Sequence, residues 1–196
     1  MQIRQPIVAV LGHVDSGKTS LLDKIRGTGV QSREAGGITQ HIGDSFLPTD
    51  TLKNVCGPLF AKMGGGNQEI PGLLVIDTPG HEIFTNLRAR GGSAADIAIL
   101  VVDVNRGFQP QTSESLKILQ SRKVPFVIAL NKVDMISGWS KKPSSQFISQ
   151  SVKDQDTFVQ TSLDELLYNV VGTLSVLGYN SEAFYRIKDF SKEVAI

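Results

Sequence analysis

Eight consecutive residues, Gly12-His13-Val14-Asp15-Ser16-Gly17-Lys18-Thr19, restrict the fold of this chain more than any other stretch. They match G-x-x-x-x-G-K-[ST], a spacing whose glycines let the backbone curl until successive N–H groups face one concave centre. Upstream, Ile7-Val8-Ala9-Val10-Leu11 is a short, partly β-branched apolar run, the pattern of a buried strand. Downstream, Ser20-Leu21-Leu22-Asp23-Lys24-Ile25 opens a helix. In that strand–loop–helix context the motif cradles phosphate. The loop amides and the positive helix N-terminus face the anion, Lys18 reaches the β- and γ-phosphates, and the Thr19 hydroxyl is a ligand for Mg²⁺. Asp15, Ser16, Gly17 and Ser20 complete the candidate nucleotide-binding set of this stretch.

Further along, three more continuous apolar runs read as buried strands: Leu73 to Asp77, Ile97 to Asp103 and Pro125 to Leu130. A weaker strand is expected over Ile42–Pro48, and Thr51–Val55 reads as a helical turn or two. Arg26 to Thr39 is glycine-rich without a sustained period, the composition of a mobile loop. Helices are expected over Glu82–Ala94 and from Gln111 to about Arg122-Lys123. The segment from Gly138 to Asp156 shows no clear element. Thr157 to Leu177 carries Val159, Leu163, Leu166, Leu167, Val170, Leu174 and Leu177 at three- and four-residue spacings, an amphipathic helix with Gly178 at its C-terminal cap. Ser181-Glu182-Ala183-Phe184-Tyr185 reads as a short helix, and Val194-Ala195-Ile196 as the start of a strand. Apolar strands alternating with helices predict an α/β, three-layer α/β/α sandwich on a mostly parallel sheet, with ligands at the carboxyl ends of the strands.

The residues after those strand ends supply the chemistry. Asp77-Thr78-Pro79-Gly80 places a carboxylate where it can hold Mg²⁺ through water, and a glycine N–H where nothing blocks approach to a γ-phosphate. His81 follows at once and is suited to orient an attacking water, because phosphoryl transfer needs an in-line nucleophile more than a strong base. Thr39 can supply a second hydroxyl to Mg²⁺; only a γ-phosphate would hold it there, which makes its loop a switch. Asn131-Lys132-Val133-Asp134 selects the base. The Asp134 carboxylate accepts two hydrogen bonds from the edge of guanine, and adenine offers no matching pair. Leaving a buried carboxylate unpaired is costly, so discrimination can reach about 10⁴-fold. Asn131 would brace the loop and contact the base, and the Lys132 stem would cover the base's face. Trp139 reads as a packing residue, and Arg88 and Arg90 mark where a switch-dependent partner could dock.

Composition narrows the surroundings. At 196 residues the chain can bury a full core, and its net charge of +1 carries no polybasic signature for nucleic acid. The single cysteine, Cys56, fits a reducing cytoplasm and is expected as a small buried hydrophobe. No uninterrupted apolar run approaches the length of a membrane span, so no membrane partner is expected.

Together, Gly-His-Val-Asp-x-Gly-Lys-Thr at 12–19 and Asp-Thr-Pro-Gly-His at 77–81 make the chain similar to the translational GTPases. Glu34-Ala35-Gly36-Gly37-Ile38-Thr39-Gln40, Asn86-Leu87-Arg88-Ala89-Arg90-Gly91, Gly107-Phe108-Gln109-Pro110-Gln111-Thr112 and Gly138-Trp139 narrow the resemblance to the GTPase domain of the archaeal and eukaryotic initiation factor 5B family. The bacterial counterpart, initiation factor two, is less similar. The resemblance implies ribosome-stimulated hydrolysis of GTP to GDP and phosphate, with Mg²⁺, in the cytoplasm, as a switch in joining the ribosomal subunits. It implies His81 as the catalytic residue, Thr19, Thr39 and Asp77 around the metal, Gly80 at the γ-phosphate, and Asn131, Lys132 and Asp134 at guanine. It also implies a monovalent cation near Asp15. Its partners would be the large ribosomal subunit, with initiator tRNA and other initiation factors reached through further domains.

The family carries a Ser-Ala-x guanine loop after a final strand. Residues 1–196 are therefore expected to be a GTP-binding domain cut before that loop, with an insertion at about 49–72 and a helical extension at about 138–190. Two other readings stand beside this one. One is a module that binds GTP or GDP with negligible hydrolysis. The other is a different translational GTPase, such as an elongation or selenocysteine-delivery factor, which the insertion at 49–72 disfavours.

Overall fold

The computed structural model describes residues 4–27, 43–62, 70–77, 95–141 and 147–196. A five-stranded sheet runs through the described residues in the order β2-β3-β1-β4-β5. Its strands are β1 (Ile7–Gly12), β2 (Gly43–Pro48), β3 (Gly72–Asp77), β4 (Ile97–Asp103) and β5 (Phe126–Asn131). β1 pairs in parallel with β3 and β4, and β4 with β5; only β2, at the edge, runs antiparallel to its neighbour β3. The strands expected from apolar runs are the parallel ones, because a strand covered on both faces needs no polar alternation.

Alternation still decides which side chain goes where. From β1, Val8 and Val10 point to one face and Ala9 and Leu11 to the other, and both sets are buried. The first face packs under α1 (Lys18–Arg26) through Leu22, with Leu21 and Ile25 beside it. The second face packs under α4 (Pro110–Arg122) through Leu116 and Leu119, and under α6 (Thr157–Val176) through Val170 and Leu174. Helices on both faces of a mostly parallel sheet give the three layers that the sequence pattern predicts. The periodic residues of α6 supply its buried side, and Gly178 takes the left-handed conformation (φ 86°) just past its end.

Four local expectations change. Within 138–156, α5 (Ile148–Lys153) forms, a helix too short for its period to show. Gln155 behind it fastens the chain as a backbone mimic. Its Oε1 accepts the Ser140 N–H at 2.7 Å, and its Nε2 donates to the Ser140 carbonyl at 2.8 Å. Ser181–Glu182 is a two-residue strand, β6, not a helix. It pairs in parallel with β7 (Val194–Ala195), so pairing with a distant segment overrides local helix preference. The expected strand at 194–196 is thus β7, in a separate two-stranded sheet. Over 49–62 there are two helices, α2 (Thr49–Cys56) and α3 (Pro58–Lys62). No residue of α2 is fully buried, which leaves Cys56 exposed and not the core residue expected.

Residues 1–3, 28–42, 63–69, 78–94 and 142–146 lie outside the described structure, and with them most of the expected glycine-rich loop and all of the helix expected over Glu82–Ala94.

Candidate nucleotide site

The carboxyl ends of β1, β3, β4 and β5 share one edge of the sheet. Val10 lies opposite Asp77, Gly12 opposite Val101, and Asp103 opposite Asn131. Gly12 ends β1, and a side chain there would collide with the Val101 carbonyl of β4. The loop then leaves the sheet, with Asp15 in the left-handed region at φ 62° and Gly17 at φ 91°. A side chain on Gly17 would run into the Asn131 carboxamide. That contact is built in, because Asn131 Nδ2 donates to the Ser16 carbonyl at 2.9 Å. The brace expected of Asn131 is therefore a bond between the N-K-x-D turn and the glycine-rich loop after β1.

Lys18 opens α1 and is buried, its ammonium donating to the carbonyls of Gly12 at 3.0 Å and His13 at 2.8 Å. This holds the charge inside the curl of the loop. Thr19 is buried beside it, and Ser20 is partly covered. Ser16 is 2% exposed, and its Oγ finds no partner among the described residues. A buried orphan hydroxyl in a cradle that two glycines keep open fits a loop built for an anion.

At the other end of the site, β5 delivers Asn131. Lys132 takes a left-handed turn at φ 63°, and Asp134 sits in the 3₁₀ turn Val133–Met135. This turn rests on a small apolar core of Val104, Ile136, Val152, Val159 and Leu163, against which Val133 and Trp139 pack. Trp139 is thus the packing residue expected. Asp134 is exposed to solvent, where a buried carboxylate was expected.

Sequence reasoning missed two groups here. Asp103, at the end of β4, accepts from the Lys132 ammonium at 2.9 Å through Oδ2 and from the Asn105 N–H at 2.9 Å through Oδ1. Burial pushes its carboxyl up. The Lys132 and Asn105 hydrogen bonds, with the charges of Lys132 and Arg106, outweigh that and hold it below the ordinary aspartate range. Its signal was available: like Asp77, it is a carboxylate closing an apolar run. The second is Gln111, whose Oε1 accepts the Val14 N–H of the loop at 3.2 Å. It lies in the Gly-Phe-Gln-Pro-Gln-Thr stretch at 107–112 that carries part of the resemblance, but nothing there marks its bond to the loop.

Oxygen donors suit Mg²⁺, a hard cation, and Thr19 lies in the strand–loop–helix unit next to the end of β3. The backbone of Asp77 pairs with Val10 and Gly43; its side chain lies outside the described structure, as do Thr39, Gly80 and His81. Among the described residues, no cluster of three or more His, Cys, Asp or Glu side chains could hold a metal by itself.

A glycine-curled loop between a buried strand and a helix, tied by an asparagine to an N-K-x-D turn on the same sheet edge, defines a guanine-nucleotide-binding domain of the P-loop class. Comparison with known proteins places it more narrowly. The family model of the elongation factor Tu GTP binding domain matches residues 3–189, and the chain belongs to that family.

Among curated relatives it is 58% identical over 195 residues to the probable translation initiation factor IF-2 of Sulfurisphaera tokodaii. It is 55% identical to that of Thermococcus sibiricus. Each alignment covers 100% of this chain and 32% of the relative, so the chain spans about a third of their length. Among solved structures, GDP-bound aIF5B from Aeropyrum pernix matches with a TM-score of 0.81 at 52% identity, over 100% of this chain and 32% of that one. A bacterial selenocysteine-specific elongation factor matches with a TM-score of 0.54 at 24% identity, over 89% of this chain and 24% of that one, and so shares the fold.

Proposed function

We propose that this chain is the GTP-hydrolysing switch domain of an initiation factor of the kind found in archaea, one that promotes joining of the ribosomal subunits in the cytoplasm. The observation that carries the proposal is the Asn131–Ser16 hydrogen bond, which makes one site of the phosphate loop and the guanine-reading turn. The names of the relatives support the assignment to initiation rather than elongation.

In this reading the loop amides and Lys18 hold the β- and γ-phosphates, and Gly80 lets a backbone N–H reach the γ-phosphate. Asn131, Lys132 and Asp134 hold guanine. His81 orients a water in line with the bond to be broken, and water adds at the γ-phosphorus as the β–γ bridging oxygen leaves with GDP. Thr19, Asp77 and Thr39 would hold Mg²⁺, which when bound neutralises charge on the β- and γ-phosphate oxygens. Asp15 is proposed beside a monovalent cation near the phosphates. Residues 1–196 are proposed as one GTP-binding domain, the segments 49–72 and 138–190 elaborating the common core. The partners proposed for the complete factor are the large ribosomal subunit, initiator tRNA and other initiation factors.

Single-turnover GTP hydrolysis with and without ribosomes tests this, using the complete factor. Ribosomes should accelerate the reaction, and His81→Ala should slow the accelerated rate by about 10²-fold or more while leaving GTP affinity unchanged. An unaltered ribosome-stimulated rate in that variant would refute the water-positioning role.

A further inference from the structure

The ion pair between Lys132 and Asp103 joins the guanine-reading turn to the neighbouring strand, and nothing in the reading above gives Asp103 a part. Three observations bear on what it does. Lys132 is held at φ 63°, so its side chain leaves β5 across the site and not along the strand. Its Cε lies 4.0 Å from where a Cβ on Gly17 would stand, so the methylene stem runs beside the phosphate loop. Its ammonium ends on Asp103 Oδ2, and Asp103 is only 8% exposed and fixed in turn by the Asn105 N–H. The β4–β5 pairing sets the two partners in register: Asp103 lies opposite Asn131, and the Val104 N–H donates to the Asn131 carbonyl at 2.9 Å. The stem is thus pinned at both ends, by a backbone turn and by a buried carboxylate with a second partner of its own.

We propose that Asp103 is a positioning residue for the guanine nucleotide: it stretches the Lys132 stem into a preformed apolar wall against which the flat face of the purine packs. The proposal rests on the reading of 131–134 as the base-binding turn. A free lysine stem has among the largest rotamer freedoms of any side chain, and ordering it on binding would lower affinity. The Asp103 ion pair orders it beforehand. The wall touches the ring face, which all purines share, whereas Asp134 reads the edge, which differs between them. Asp103 therefore raises affinity without choosing the base.

Calorimetric titration of this chain with guanosine diphosphate and xanthosine diphosphate separates the possibilities. Asp103→Asn keeps an oxygen for the Asn105 N–H but presents its amide to the lysine, releasing the stem without removing the turn. It should weaken guanosine diphosphate binding on the order of tenfold, chiefly through faster dissociation, and leave the guanine-to-xanthine affinity ratio within about twofold of wild type. In a Lys132→Met background, which keeps a stem and loses the charge, Asp103→Asn should have no further effect. Three results overturn the proposal: binding of guanosine diphosphate by Asp103→Asn as tight as wild type, a changed base preference, or an undiminished effect in the Lys132→Met background. Asp134→Asn is the separate control. If it fails to move preference toward xanthine, the base-turn reading itself falls, whatever Asp103 does.

Discussion

Gly17 stands where the two halves of the site touch, and its lack of a side chain is a structural requirement on two counts. Its φ of 91° disfavours any L side chain, and the space a Cβ would take is filled by the Asn131 carboxamide. Gly17→Ala should therefore break the Asn131–Ser16 bond, lower stability by about 1–3 kcal/mol, and abolish measurable GTP binding. Thermal melting with and without nucleotide checks it, and a nucleotide-dependent rise in melting temperature equal to wild type would contradict it.

Asp96 illustrates a different residue-level device. Both its oxygens pair with the Arg4 guanidinium, and Oδ2 also accepts the Ile7 N–H at 2.8 Å, tying the segment before β1 to the start of β4. The side-chain bonds from Arg4, then the Ile7 amide, hold its carboxyl below the ordinary aspartate value. A lowered carboxyl stabilises the fold above the unfolded value, about 3.9, and that contribution is lost as pH falls through the folded value. Wild type should accordingly be more stable than Asp96→Asn at pH 7, with the gap closing as pH falls below about 4. A gap in melting temperature that persists undiminished at pH 3 would count against it.

At the scale of elements, α4 ends against its own chemistry. Lys123 takes the left-handed conformation at φ 54°, its N–H on the Gln120 and Leu119 carbonyls, and Val124 N–H returns to Leu119 at 3.0 Å. Glycine is the residue that adopts this geometry without penalty. Lys123→Gly should stabilise the chain by about 0.5–1 kcal/mol, the relieved strain being partly offset by a freer unfolded chain. Denaturant unfolding reads the change, and a loss of stability would show that the lysine stem contributes more than its backbone costs.

The same scale explains what sequence could and could not disclose. β1, β3, β4 and β5 were legible because burial on both faces demands unbroken apolar runs, and α6 because seven apolar residues keep helical spacing over five turns. α5 was not, since six residues are too few to establish a period. Ser181–Glu182 was misread because its partner, Val194–Ala195, is remote in sequence and no local signal encodes the pairing. Within the site, the residues proposed to touch the nucleotide came in motifs, whereas Asp103, which pairs with Lys132, did not.

For the whole molecule, one design recurs. The two apolar faces of the sheet fix the strands, and the fixed strands bring Gly12, Asp77, Asp103 and Asn131 to a common edge. Loops between them can then carry chemistry without having to specify the fold. Among the described residues no helix is long and apolar enough to cross a membrane. The central claim, a site that reads guanine and phosphate together, is tested most directly by titrating GTP, ATP and xanthosine triphosphate into wild type and Asp134→Asn. Wild type should bind GTP more tightly than ATP by about 10³-fold or more, and the variant should prefer xanthosine triphosphate. Equal affinity for ATP and GTP, or a variant that still prefers GTP, would contradict the account.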